Sequence, residues 1–399
     1  MRHLLGQPRL IGILHIGAEK TGTTTLQEFC FLNRDRLAAS GVLYPRTPGA
    51  KQHSLLALYA MDDGRENLLT RRMAAALAPG RDRWRAALRG QIAAEVATTV
   101  ADRLLISSEL FHSQLVSTDE IARLKGLLDS WCDRYMVVFY MRRQDRAQVS
   151  RYSTDLRTGG TPLAMLPERS ASTDLYDYAR VLARWSAVFG RASIVPRVFE
   201  PAALKDRDLI ADFMDAGDLP ALADLQRPPR RNEALSAAAQ RLLLAYNRNR
   251  AALAPLPEPR SAQLQRIVAA FVERSCPGQP ALPARAQALA FHESFREGNR
   301  QVAREWFGRE QLFEEDFSDY PERADPMPPP DAGEAMGLAA GLAQHLMANA
   351  VWLDSPRLQR LSTLSAGHNL TRVLAEYLRE HSPDLAERVA ALPVSGQRR

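Results

Sequence analysis

Short runs of consecutive apolar residues alternate along this chain with stretches in which apolar residues return every three or four positions. Leu10-Ile11-Gly12-Ile13-Leu14, Leu104-Leu105-Ile106, Tyr135-Met136-Val137-Val138-Phe139-Tyr140-Met141 and Ser193-Ile194-Val195-Pro196-Arg197-Val198-Phe199 read as buried strands. Val42-Leu43-Tyr44 reads as a short fifth. Between them, residues such as Leu26, Phe29, Cys30 and Leu37 mark the apolar face of a helix. This alternation predicts an α/β fold: a parallel sheet flanked by helices. Past residue 230 the pattern turns helical, interrupted by prolines within 254–259 and 277–283 and by Pro326 to Pro330. Residues from 332 onward are expected to form a C-terminal helical extension.

The first strand runs directly into His15-Ile16-Gly17-Ala18-Glu19-Lys20-Thr21-Gly22-Thr23-Thr24-Thr25-Leu26. A strand, a loop carrying two glycines and a helix that opens in hydroxyls make a phosphate-binding geometry. Unpaired N–H groups, the helix dipole, one ammonium and several hydroxyls can converge on a single anion. Lys20, Lys51, Lys125 and Lys205 are the only lysines, so 52 basic residues less those four leaves 48 arginines. A chain that writes its cations as Arg keeps a compact point charge in this loop. The triphosphate loop G-x-x-x-x-G-K-[ST] places lysine after its second glycine. Here Lys20 precedes Gly22 by two positions, which argues against an ATP or GTP loop.

Lys20-Thr21-Gly22-Thr23-Thr24 resembles the sulfotransferase family, whose 5′-phosphosulfate loop has the form K-[ST]-G-[ST]-[ST]. The resemblance spans roughly residues 8–317 and implies a P-loop-kinase-like sulfotransferase fold, with 332–399 as an accessory helical region. It implies 3′-phosphoadenosine 5′-phosphosulfate (PAPS) as sulfuryl donor, held at its 5′ end by Lys20, Thr21, Gly22, Thr23, Thr24 and Thr25. In that family an Arg closing a strand and a Ser eight residues on hold the 3′-phosphate, and Arg142 and Ser150 match this spacing. The chemistry is sound, since a guanidinium forks onto phosphate oxygens while a hydroxyl two helical turns on adds another bond. Arg231-Asn232 stands where related enzymes bring a late basic segment to the cofactor. Phrases such as Leu175-Tyr176-Asp177-Tyr178 and Asn299-Arg300-Gln301-Val302 fit the bacterial, carbohydrate-type branch. The acceptor implied is a hydroxyl of a glycan or glycolipid.

Sulfuryl transfer also needs a base for the acceptor hydroxyl. His53 opens a helix after the second strand, and an imidazole titrates near neutrality. Glu109 ends the strand Leu104-Leu105-Ile106-Ser107-Ser108 and is the rival base. His112 lies one turn beyond it, and His15, inside the first strand, reads as a core or supporting residue.

At 399 residues, 46% hydrophobic, the chain can bury one large α/β core with extensions. A net charge of +6 is spread along it and forms no basic block of the kind nucleic-acid arms carry. Cys30, Cys132 and Cys276 have neither disulfide nor zinc spacing, so no metal is expected and a reducing compartment is. No signal peptide is evident, and Ala335 to Leu353 is interrupted by Gln344, His345 and Asn349. A cytoplasmic protein without a membrane span is the expectation. Two alternatives stand beside this reading: a P-loop-like kinase using ATP, whose Gly-Lys-[ST] element is missing here, and a non-catalytic nucleotide-binding scaffold.

Overall fold

Alternate residues of each strand enter different cores, which is why the strands read as unbroken apolar runs. The strands are β1 (Leu10–His15), β2 (Val42–Leu43), β3 (Arg103–Ser107), β4 (Cys132–Met141) and β5 (Ile194–Val198). All pairings are parallel, in the order β2-β3-β1-β4-β5. This is a computed structural model, and it describes residues 9–73, 77–78, 80–168, 175–222, 224–229, 234–249 and 260–331, with 333, 334, 337, 339, 341 and 342.

The helices up to the end of β4 are α1 (Thr23–Leu32), α2 (Arg34–Ala39), α3 (Ser54–Ala60), α4 (Leu68–Arg72), α5 (Arg81–Ala97), α6 (Leu110–Gln114) and α7 (Thr118–Leu128). After it come α8 (Gln144–Arg157), α9 (Tyr178–Phe189), α10 (Leu209–Ala216), α11 (Ala237–Asn249), α12 (Arg260–Ser275), α13 (Arg285–Glu293) and α14 (Arg296–Phe307).

Leu14, Leu104, Ile106, Val137, Phe139 and Met141 face one side of the sheet and pack with α3, α5, α7, α9 and α14. Ile13, Leu105, Val138 and Tyr140 face the other side and meet Leu26, Phe29 and Cys30 of α1, Leu37 of α2 and Phe213 of α10. Ile13 and Leu14 are both fully buried, each contributing about 1.5–3 kcal/mol on opposite faces. The result is three layers, helices on both sides of a parallel sheet.

Neighbouring arginines at the end of β4 part company. Arg143 turns into the core, where Nε and Nη2 donate to Asp145 at 2.9 and 3.0 Å and Nη1 donates to the Glu314 carbonyl at 2.8 Å. Its guanidinium lies 4.0 Å from the Phe317 ring centroid, and Tyr320 donates to Asp145 at 2.6 Å. Arg143 therefore anchors the segment after α14.

The chain forms two compact units. The first, 1–154 with 162–234 and 281–325, holds the sheet. The second, 155–161 with 235–280 and 326–399, holds α11 and α12. Inside it, the Asn247 carboxamide donates to the carbonyls of Leu156 and Gly160, and Gln265 donates to Asn247 at 3.0 Å. These amide bonds draw 155–161 to α11 and α12, and the chain passes between the units again at 325/326. Most of 332–399 lies outside the described residues. Among the described residues no helix is long and apolar enough to cross a membrane.

Candidate active site

β1 is the switch point of the sheet. The chain leaves it to build β2 and β3 on one side, then returns to build β4 and β5 on the other. Crevices in such sheets open at the carboxyl ends of the strands beside that point. Three segments meet there: the loop after β1, the residues after β3 and the second half of α8.

The loop after β1 is tightly wound. Gly17, Lys20 and Gly22 have φ of 43°, 69° and 78°, all left-handed. Lys20 carries a Cβ in that region, a conformation non-glycine residues adopt at a cost of about 1–2 kcal/mol. Gly22 suits its left-handed φ, and a Cβ there would also press on Leu209 Cδ2 at 2.3 Å. Thr21 and Thr23 both turn their hydroxyls to the Ala18 carbonyl, at 2.6 and 3.2 Å. Those two threonines brace the loop from within. Thr24 is exposed and Thr25 half-buried. α1 starts at Gly22 with no side-chain cap and no acidic residue in its first turn. Its first N–H groups are left for an outside acceptor.

Arg142, the residue after β4, donates from Nη1 to the Lys20 carbonyl at 2.9 Å. Its backbone is pinned by Tyr178, whose hydroxyl donates to the Arg142 carbonyl at 2.6 Å and accepts its N–H at 3.3 Å. The guanidinium lies 5.7 Å from the Phe199 ring centroid. Burial, then the like charge of Arg146, lowers its pKa, the mark of a cation short of compensation. Among the described residues no carboxylate forms an ion pair with it.

α8 supplies the opposite wall. Lys20 Nζ donates to Thr154 Oγ1 at 2.7 Å, and Arg151 pairs with Glu19 at 2.6 Å. Ser150 stands one turn before Thr154 on the same helix and is half-buried. Glu109, just past β3, has its pKa raised by burial and then by the nearby charge of Glu19, while Lys20 pulls it back. Lys20, Glu109, Arg142 and Ser150 thus share one region of the first unit.

The histidines stand apart from it. His53 is fully buried: Nε2 bonds the Pro45 carbonyl and Nδ1 accepts the Ser107 N–H, each at 3.0 Å. Burial pushes its pKa down to about 3. The expectation of a neutral-pH base at His53 meets an imidazole with both nitrogens committed to backbone. His112 is buried too, bonded to the Leu175 carbonyl at 2.8 Å and lowered to about 4 by burial. His15 pairs with the Ser107 hydroxyl at 2.8 Å and is lowered to about 3 by burial. Arg231 and Asn232 lie outside the described residues. No cluster of three or more His, Cys, Asp or Glu side chains suited to a metal occurs among the described residues.

Sequence reading missed Glu19, Arg151, Thr154, Tyr178 and Phe199. The four-residue spacing of Ser150 and Thr154 on one helix face was the available signal for Thr154. Fold and site together define a parallel α/β protein whose polar side chains converge at the carboxyl edge of its central strand. No protein-family model, curated protein or solved structure matches the chain.

Proposed function

We propose that the chain is a PAPS-dependent sulfotransferase that moves a sulfuryl group onto a hydroxyl of a glycan or glycolipid. The observation that carries this reading is the 2.9 Å hydrogen bond from Arg142 to the Lys20 carbonyl. It joins two segments, 122 positions apart, that the resemblance assigns to opposite ends of one nucleotide. The strand order and the position of the loop after β1 support a P-loop-kinase-like sulfotransferase fold. Free thiols at Cys30, Cys132 and Cys276 suit a reducing, cytoplasmic setting.

In the reaction, negative charge builds on the leaving oxygen while the acceptor hydroxyl loses its proton. Lys20 neutralises that charge. The α1 N-terminus, with Thr24 and Thr25, holds the 5′-phosphate, and Thr21 and Thr23 keep the loop in shape. Arg142 and Ser150 hold the 3′-phosphate, which supplies the charge that the buried guanidinium lacks. Glu109 takes the proton, its basicity increased by burial beside Glu19.

Titration calorimetry with 3′,5′-adenosine bisphosphate in the absence of magnesium tests the reading. Binding at about micromolar Kd is expected. Heat with magnesium-ATP alone would replace it with a kinase. Binding without transfer of labelled sulfate to any glycan or glycolipid would leave a nucleotide-binding scaffold.

A further inference from the structure

We propose that His53 and His15 are positioning residues: two neutral imidazoles clamp Ser107, the last residue of β3, and so hold Glu109 beside Lys20. The proposal rests on the sulfotransferase reading only in taking Glu109 as the base.

Ser107 is gripped at every polar atom. Its N–H donates to His53 Nδ1, and its carbonyl accepts the backbone N–H of His53, both at 3.0 Å. Its hydroxyl meets His15 Nδ1 at 2.8 Å, across the register pair His15–Ser107 of β1 and β3. One residue on, the Ser108 N–H donates to the His15 carbonyl at 3.1 Å. A single residue, Ser108, separates Ser107 from Glu109, which caps α6. Slack at Ser107 therefore becomes displacement of the carboxyl.

The partners also dictate the state of His53. A backbone N–H only donates, so Nδ1 must be bare. A carbonyl only accepts, so Nε2 must carry the proton to Pro45. One neutral tautomer satisfies both, and a second proton would set two donors face to face. The ring is held in place against Tyr44, 4.5 Å between centroids. Asparagine reproduces the acceptor near Nδ1, and leucine reproduces bulk alone.

The test follows the Glu109 carboxyl by carbon NMR in the full chain, with Glu109→Gln assigning the signal. Wild type and His53→Asn are expected to show the raised titration of Glu109, while His53→Leu drops it toward the ordinary carboxylate range. Nitrogen shifts of His53 should report the Nε2–H tautomer between pH 8 and about 5. Should His53→Leu not fold, Ser107→Ala removes the His15 bond alone and should lower the same midpoint. In sulfate transfer, His53→Leu loses roughly 100-fold, the cost of misplacing a reacting group by about an ångström. His53→Asn keeps most turnover and the same acidic limb. A His53 signal titrating near its ordinary pKa, equal inactivity of Asn and Leu, or a Glu109 midpoint unmoved by His53→Leu and Ser107→Ala would each overturn the clamp. Failure of wild type to bind the bisphosphate would sink the sulfotransferase reading, and the clamp would then stand or fall on the Glu109 titration alone.

Discussion

Arg142 and Arg143 are sequence neighbours with separate tasks: the first bonds the Lys20 carbonyl, the second the Asp145 carboxylate. The first cation has no carboxylate of its own among the described residues, and the second is fully partnered. Arg142→Ala should leave the fold intact and weaken bisphosphate binding about ten- to a hundred-fold, the value of one charged hydrogen bond. Arg143→Ala strands a buried Asp145 and should cost about 3–5 kcal/mol in urea denaturation. Calorimetry and melting of the two variants separate ligand-holding from fold-holding at adjacent positions.

On the proposed sulfotransferase reading Lys20 acts on the leaving oxygen, where charge appears only in the transition state. Lys20→Ala should therefore lower sulfate transfer by roughly 100- to 1,000-fold while changing bisphosphate affinity less than about ten-fold. Transfer at the wild-type rate would remove Lys20 from the mechanism.

As the proposed base, Glu109 sets function against stability. Its pKa is raised in the folded protein, so folding favours the protonated carboxyl. That contribution is present below the ordinary glutamate range and is lost as pH rises through the raised value. Glu109→Gln should be more stable than wild type at pH 8, lose that advantage at pH 4, and transfer no sulfate. Chemical denaturation at the two pH values reads the difference.

The buried histidines give acid sensitivity of the opposite sense. His15 and His53 fall from an ordinary 6.5 to about 3 on folding. Their stabilisation is complete above 6.5 and drains away as pH falls toward 3. The melting temperature of wild type should drop steeply over that interval, and His53→Asn should flatten the slope.

The strands were legible because burial on both faces leaves no polar residue to interrupt an apolar run. β4 begins at Cys132, three residues before its apolar run starts at Tyr135, since Asp133 and Arg134 are exposed where the strand begins. The loop at Lys20 was legible because glycine, lysine and threonine are each there for a separate physical reason. The histidines were not. A helix-opening His53 reads alike whether its ring meets water or an N–H 54 positions away. The ion pair of Glu19 with Arg151 and the bond of Lys20 to Thr154 were hidden for the same reason, since pairings between distant elements leave no periodic trace.

The strand order also bears on synthesis. Among the described residues β1, the central strand, pairs with β3 and β4 alone, and its register partners lie about 90 and 120 positions downstream. At about 5–20 residues per second, a ribosome makes the apolar run Leu10–Leu14 wait on the order of ten seconds for its first neighbour. During that wait the segment is an unpaired edge on both sides, open to any other nascent strand. Yield from an expressing cell should thus depend on chaperone supply more steeply than the finished domain's stability suggests.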